Sequence, residues 1–167
     1  MGALEVVVPT MPHLVDPIRR ATEHWPVLPR IIVDGAEKAA AFRIARAALA
    51  KSGTVTLELA LAGVPMVTGY KVSTIEYLTV GRQIRKRLSS IILTNLMLRE
   101  NVVPELLQHF CTADKLADAL VPLLDDTAER RRQIEAFSRL DAIMEIGSAA
   151  PATRAADVVL EVVQRAH

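Results

Sequence analysis

Aromatic side chains make up only 4% of the 167 residues, and cysteine occurs once, as Cys111. One cysteine closes no internal disulfide, which excludes the stapled frameworks of small secreted domains and leaves a free buried thiol as the expected state. Charge is nearly balanced at a formal net of +1, so the basic footprint of a nucleic-acid binder is missing. The seven glycines are scattered, and neither Gly-x-Gly-x-x-Gly nor a Gly-Lys-Ser/Thr phosphate loop occurs. His13, His24, His109 and His167 are not at ligand spacing and no cysteine pair supports them, so no metal site is expected. A Gly-x-Ser-x-Gly elbow is absent as well. No apolar run reaches the ~18 residues that span a bilayer; residues 57–70 come nearest, and Glu58 interrupts them. The N-terminal Met-Gly-Ala-Leu-Glu-Val-Val-Val lacks the basic start and apolar stretch of a signal peptide. What remains is a chain 51% hydrophobic and long enough for one ordinary domain. A cytoplasmic, soluble or peripherally bound protein is expected.

Short β-branched runs alternate with helical patterns. Residues 4–8, 30–34, 65–70 and 90–93 read as strands, and residues 17–24, 37–46 and 75–87 as helices. Such alternation predicts a parallel sheet with right-handed crossovers, an α/β fold. The last third reads as helical throughout. Thr112 is the expected N-cap of a helix reaching Leu124, with Leu116, Leu120, Leu123 and Leu124 on one face. Thr127 starts another, with Ile134, Phe137, Leu140 and Met144 as its apolar stripe before Gly147. Pro151 opens a third, whose Ala155, Val158, Val159, Val162 and Val163 are expected to face inward. No repeat, low-complexity stretch or linker is visible, and residues 1–167 read as one domain.

Two segments carry potential chemistry. In the first, Ser52-Gly53-Thr54 forms a tight turn opening a helix, whose first N–H groups attract a phosphate, with Thr54 adding its hydroxyl. Glu58 follows one turn later on the same face, where a carboxylate can accept bonds from two sugar hydroxyls. Spacing alone gives more weight to a capped helix with a solvated Glu58. The second segment holds Asn95, then Val-Val-Pro-Glu-Leu-Leu-Gln with Glu105 and Gln108, beyond a strand where open parallel sheets bind ligands. Its plainer reading is a turn residue followed by a solvated face. Arg130, Arg131 and Arg132 read as a solvated helix face.

Taken together, Ser-Gly-Thr-Val-Thr-Leu-Glu-Leu-Ala-Leu-Ala-Gly-Val-Pro-Met-Val, Tyr70-Lys71, Asn95-Leu96 and Val-Val-Pro-Glu-Leu-Leu-Gln closely resemble the lipid-A-disaccharide synthase family. The stretches from Cys111 to Leu124 and from Ala155 to Glu161 resemble it too, in the same order and with the same loop lengths. The resemblance implies the C-terminal half of a GT-B glycosyltransferase, a Rossmann-like parallel sheet with flanking helices. It also implies a short buried strand at residues 47–51, where propensity alone suggests helix.

The implied reaction joins UDP-2,3-diacylglucosamine to 2,3-diacylglucosamine 1-phosphate, giving UDP and the β-1,6-linked disaccharide, with no cofactor. By the resemblance Ser52, Gly53 and Thr54 face the diphosphate, Glu58 the uridine ribose, and Asn95, Glu105 and Gln108 line the cleft. Full members of the family are longer. Their N-terminal domain, with the acceptor site and base, and the Pro-Gly-Ser-Arg motif after the first strand of the C-terminal domain have no counterpart here. The chain is therefore expected to be a truncated C-terminal domain, with no catalytic residue of its own, prone to self-association or in need of the N-terminal part. Thr74 and Thr94 stand where the family usually has proline, and Arg99 where it often has glycine. Acylated substrates imply contact with the inner-membrane surface. Tyr77, Leu78 and Ile84 with Arg82, Arg85, Lys86 and Arg87 form one candidate, a solvated crossover helix being the plainer reading. The rival functions are a non-catalytic UDP-binding remnant or partner subunit, and a different GT-B enzyme acting on UDP-N-acetylglucosamine.

Overall fold

The computed structural model describes residues 4–72, 90–144 and 151–165. They fall into two compact units, residues 1–46 and 47–167. In the first, β1 (Val7–Pro9) and β2 (Arg30–Ile32) pair in parallel with Val8 opposite Ile31. A 3-10 turn at Pro12–Leu14 leads into α1 (Val15–Thr22). Asp34 caps α2 (Gly35–Ile44) by accepting a bond from the Glu37 N–H at 2.8 Å, so this helix starts two residues before its first charged residue. The core of the unit is thin: Ile32 and Ala41 are its buried apolar residues among those described.

The second unit carries a three-stranded parallel sheet in the order β3-β4-β5, formed by Ala48–Lys51, Met66–Tyr70 and Glu105–Leu107. Thus β3 forms where helix propensity is high. The parallel ladder to β4 and packing of α3 (Val55–Leu61) override local preference, but the strand is not the buried one expected: Ala48 and Ala50 are half-buried, and Leu49 and Lys51 are exposed. Gly63, at φ +70°, reverses the chain after α3 and delivers it to β4, whose Met66 and Val67 are fully buried. Gly69 lies under α5 (Ala113–Leu120): a Cβ there would meet Cys111 Sγ at 3.0 Å and Leu116 Cδ2 at 3.2 Å. Cys111 is a free thiol, half-buried. These parallel sheets with flanking helices are an α/β, Rossmann-like arrangement.

Residues 90–93 are not a strand. Ile91 and Ile92 form a bend, Leu93 opens α4 (Leu93–Leu98), and the strand falls at Glu105–Leu107 instead. Of the apolar run Ile91-Ile92-Leu93 only Ile92 is buried, Leu93 being exposed, and a short apolar run does not by itself distinguish a strand from a helix start. Thr112 caps α5 as expected, and Pro122 tightens the continuation into a 3-10 turn, Val121–Leu124. Beyond it, α6 (Ala128–Phe137) and α7 (Leu140–Ile143) replace one continuous helix. Their inward face is Gln133, Ala136, Phe137 and Leu140, whereas the expected Ile134 is exposed. A polar residue thus displaces an apolar one from the core. On α8 (Pro151–Arg165) the expected inward residues are not buried: Val158, Val159, Val162 and Val163 are all exposed, as is every other residue from 153 to 165. Their apolar stripe is real, but no described residue covers it. The helix expected at 75–87, with its basic and aromatic residues, lies outside the described residues, as do Thr74 and Gly147.

Candidate functional site

The chain leaves β3 through Ser52-Gly53-Thr54 and enters α3. Thr56 and not Thr54 closes this turn, its Oγ1 donating to the Gly53 carbonyl at 2.7 Å and its N–H to the same oxygen at 3.2 Å. The Leu57 and Glu58 N–H groups bond to the Thr54 carbonyl at 3.0 and 3.3 Å. Thr54 and Glu58 are therefore exposed on the first turn, and a side chain at Gly53 would meet nothing within 4 Å. Among the described residues nothing covers Gly53 on this face.

The second segment is closed. Asn95 is 2% exposed, and its amide is fully engaged. Oδ1 accepts from the Val102 and Val103 N–H groups at 3.1 and 2.9 Å, while Nδ2 donates to the Val103 carbonyl at 2.9 Å and to Glu105 Oε1 at 3.0 Å. Glu105 also accepts from the Ser90 hydroxyl and, through Oε2, from the Ile91 N–H at 3.0 Å. Gln108 has a positive φ of 51°, and its side chain clamps Val72: Oε1 accepts from the Val72 N–H at 2.8 Å, and Nε2 donates to its carbonyl at 3.2 Å. This side-chain pairing ties the residue after β5 to the segment leaving β4 and holds a backbone conformation unfavourable for a non-glycine residue. None of these three is a solvated face.

The two segments meet. Ser52 Oγ donates to the Ile91 carbonyl at 3.3 Å, and the Ile91 N–H goes to Glu105, which holds Asn95. Beside this relay the buried Thr94 hydroxyl donates to the Thr56 carbonyl at 3.2 Å, locking α4 to α3. Thus Ser52, Gly53, Thr54, Glu58, Asn95 and Glu105 form one bonded neighbourhood, and Gln108 stands apart from it at the carboxyl end of β5.

Several supporting residues escaped the sequence reading. Gln133, 2% exposed, pairs with Met66 as a peptide of an adjoining strand would: Oε1 accepts from its N–H at 2.8 Å and Nε2 donates to its carbonyl at 3.1 Å. Its sole signal was a polar residue in register with Ala136, Phe137 and Leu140. Glu100 receives Arg132 and Arg139, each at 2.9 Å, and these guanidinium hydrogen bonds hold its carboxyl below the ordinary carboxylate range. Arg99 adopts the left-handed conformation, φ 54° and ψ 30°, at the end of α4. The backbone there has the shape glycine favours, although the residue is arginine. Of the three consecutive arginines, Arg130 is half-buried and donates to the Leu123 carbonyl at 2.9 Å, so that face is not wholly solvated. A cavity of about 610 Å³ opens beside Asn101, Glu105, Asp118, Glu129 and Arg132, sharing Glu105 with the neighbourhood above but not the Ser52 turn.

A parallel α/β unit whose strand ends carry an open Ser-Gly-Thr turn defines the class as Rossmann-like. Comparison then gives the family. The model of the lipid-A-disaccharide synthetase family matches residues 2–158. Lipid-A-disaccharide synthases of Bradyrhizobium diazoefficiens and Nitrobacter hamburgensis are each 56% identical, over 98% and 96% of this chain; that of Rhodospirillum centenum is 40% identical over 97%. The chain therefore belongs to the lipid-A-disaccharide synthase family, glycosyltransferases of lipid A biosynthesis. It spans about 41%, 40% and 40% of the length of those three relatives. Among the described residues no helix is long and apolar enough to cross a membrane.

Proposed function

We propose that residues 1–167 form the C-terminal nucleotide-sugar-binding domain of a lipid-A-disaccharide synthase. In this reading Ser52, Gly53 and Thr54 receive the UDP diphosphate, Glu58 holds the ribose, and Asn95, Glu105 and Gln108 frame the cleft from behind. The observation that carries the reading is the relay from Ser52 through Ile91 to Glu105 and Asn95, which braces an open turn against a buried scaffold. A preorganised rim of this kind binds without ordering its own backbone at the moment of association. The reaction served is transfer of 2,3-diacylglucosamine from its UDP donor to 2,3-diacylglucosamine 1-phosphate, at the cytoplasmic surface of the inner membrane where acylated substrates reside.

The isolated chain is expected to bind UDP and not to turn over. Holding donor and acceptor together contributes ~7–11 kcal/mol of barrier lowering, and a general base another ~10²–10⁴-fold in rate. Residues 1–167 span about 41% of the Bradyrhizobium diazoefficiens relative, and in this reading they supply the donor part of the site alone. Titration calorimetry tests the binding half. Glu58→Gln should weaken UDP by about tenfold, the loss expected for one hydrogen bond to a charged group, and leave pyrophosphate unchanged. Equal losses for both ligands would remove Glu58 from the ribose, and absence of UDP binding at millimolar concentration would overturn the proposal.

A further inference from the structure

Two lysines mark the carboxyl end of the three-stranded sheet. Lys51 closes β3 opposite Gly69, and Lys71 directly follows Tyr70, the last residue of β4. Because the strands are parallel, both stand at the end of the sheet where Ser52-Gly53-Thr54 turns into α3. They share the wall of a cavity of about 380 Å³ with Tyr70 and Cys111, and no described residue in that wall is acidic. Both lysines are exposed, and neither has an ion pair among the described residues. Each is nonetheless held in place. Lys51 Nζ lies 5.1 Å from the centroid of the Tyr70 ring, a cation–π contact. Lys71 is fixed through its backbone: Gln108 grips the next residue, Val72, at its N–H and its carbonyl, at 2.8 and 3.2 Å. Gln108 keeps a φ of 51° to make this clamp, a strained conformation for a residue with a side chain. Strain of this kind clusters at ligand-holding positions, and what it fixes here is the backbone beside Lys71.

We propose that Lys51 and Lys71 are the cationic contacts of a diphosphate, and that Gln108 positions Lys71 for it. The proposal rests on the nucleotide reading above and adds the charge that the Ser52–Thr54 turn does not supply. That turn offers hydroxyl and N–H groups, none of them charged. Helix α3 is seven residues long, so few peptide dipoles add at its start. Its N–H groups at Thr56, Leu57 and Glu58 are already engaged by the Gly53 and Thr54 carbonyls. An ammonium brings three donors and a full positive charge, which phosphate oxygens accept in charge-assisted bonds. Gln108, which stands apart from the Ser52 relay, joins the site through Lys71.

Isothermal titration of this chain with sodium pyrophosphate, UDP and uridine at low salt tests it. Lys71→Gln should weaken pyrophosphate and UDP alike, by about tenfold, the scale of one charge-assisted contact, and leave uridine unchanged. Lys51→Gln should act in the same direction, and Lys71→Arg should restore binding because it keeps the charge. Lys115→Gln removes an equal charge from the first turn of α5 and should leave both anions unchanged. Gln108→Ala should weaken pyrophosphate in the native chain but not in the Lys71→Gln chain, a coupling that a merely structural role would not produce. Equal pyrophosphate affinity in the native and Lys71→Gln chains would overturn the proposal, the lysines then being solvated side chains. An equal loss in Lys115→Gln would also overturn it, since general charge would then account for the effect. A native chain that binds UDP but not pyrophosphate would overturn it and leave the nucleotide reading standing. Lysine-dependent pyrophosphate binding without UDP binding would uphold this site and overturn the nucleotide reading instead. Failure to bind either ligand at millimolar concentration would overturn both.

Discussion

The Ser52–Glu58 turn and the Asn95–Gln108 segment are both part of the candidate site, but they are built in opposite ways. In the first, Gly53, Thr54 and Glu58 are exposed, while Ser52 and Thr56 bond inward. In the second, Asn95, Glu105 and Gln108 are each committed inward, and Asn95 by itself organises Val102, Val103 and Glu105. Exposed polar groups lie where a ligand can reach them. Buried and satisfied ones fix shape, and removing one partner leaves the other unpaired away from water. Ligand contact and scaffold are therefore divided between the two segments, with Ile91 as the joint.

Removal of the scaffold should produce the largest effect. Asn95→Ala leaves two buried N–H groups, a carbonyl and part of Glu105 without partners, at ~1–3 kcal/mol for each unsatisfied group. A loss of at least about 3 kcal/mol is expected in urea unfolding, with collapse of the 99–105 loop. A loss below about 1 kcal/mol, the scale of an ordinary single hydrogen bond, would mean that the segment is not the scaffold. Gln133→Ala comes next, at about 2 kcal/mol, because it unpairs both backbone groups of Met66 in the core. Glu58→Gln, on the open side, should leave stability within about 0.5 kcal/mol, the range for exposed positions. A substantially destabilised Glu58→Gln chain would erase the distinction between the two segments.

A smaller effect of opposite sign is expected at Arg99. Its left-handed conformation costs a non-glycine residue roughly 1–2 kcal/mol, partly offset in glycine by the entropy lost on folding. Arg99→Gly should raise the unfolding midpoint, corresponding to about 0.5–1 kcal/mol by these opposing terms. No gain would indicate that the arginine side chain compensates the backbone.

Much of this organisation was legible in the chain itself. Alternating β-branched runs and helical patterns pointed to the parallel α/β fold. Thr112 and Thr127, read as helix starts, both cap through their side chains, whereas Asp34, read as the end of a strand, also proves to be a cap. Only the family resemblance indicated the strand at 48–51, because Ala-Leu-Ala-Lys favours a helix and its pairing partner lies fifteen or more residues away. Assigning 90–93 to a strand failed because a short apolar run has no readable period over four residues. The division of labour within the site was not legible either. Whether Asn95, Glu105 or Gln108 faces inward depends on Val102, Ser90 and Val72, which sequence spacing does not bring together. On α8 the stripe of valines was visible but its partner was not, since a pattern reports that a face is apolar and not what covers it.

The least of the expected effects concerns acid. Glu100 follows the turn that ends α4 and is joined to Arg132 and Arg139, so it pins the scaffold loop to α6 and the turn beyond it. Those two hydrogen bonds depress its folded-state value below that of the unfolded chain. A depressed carboxylate stabilises the fold at pH values above its unfolded value, about 4.3, and loses that contribution as pH falls through the folded one. The stability difference between the native chain and Glu100→Gln should therefore be constant near neutrality and shrink as the pH drops below about 4. Because the pair network is exposed, added salt should reduce the same difference at neutral pH. Thermal unfolding of both proteins across this range, at low and high salt, measures it. A difference that does not change with pH would show that Glu100 holds the loop through its shape and neutral hydrogen bonds, leaving the ionic contribution to the scaffold at nothing.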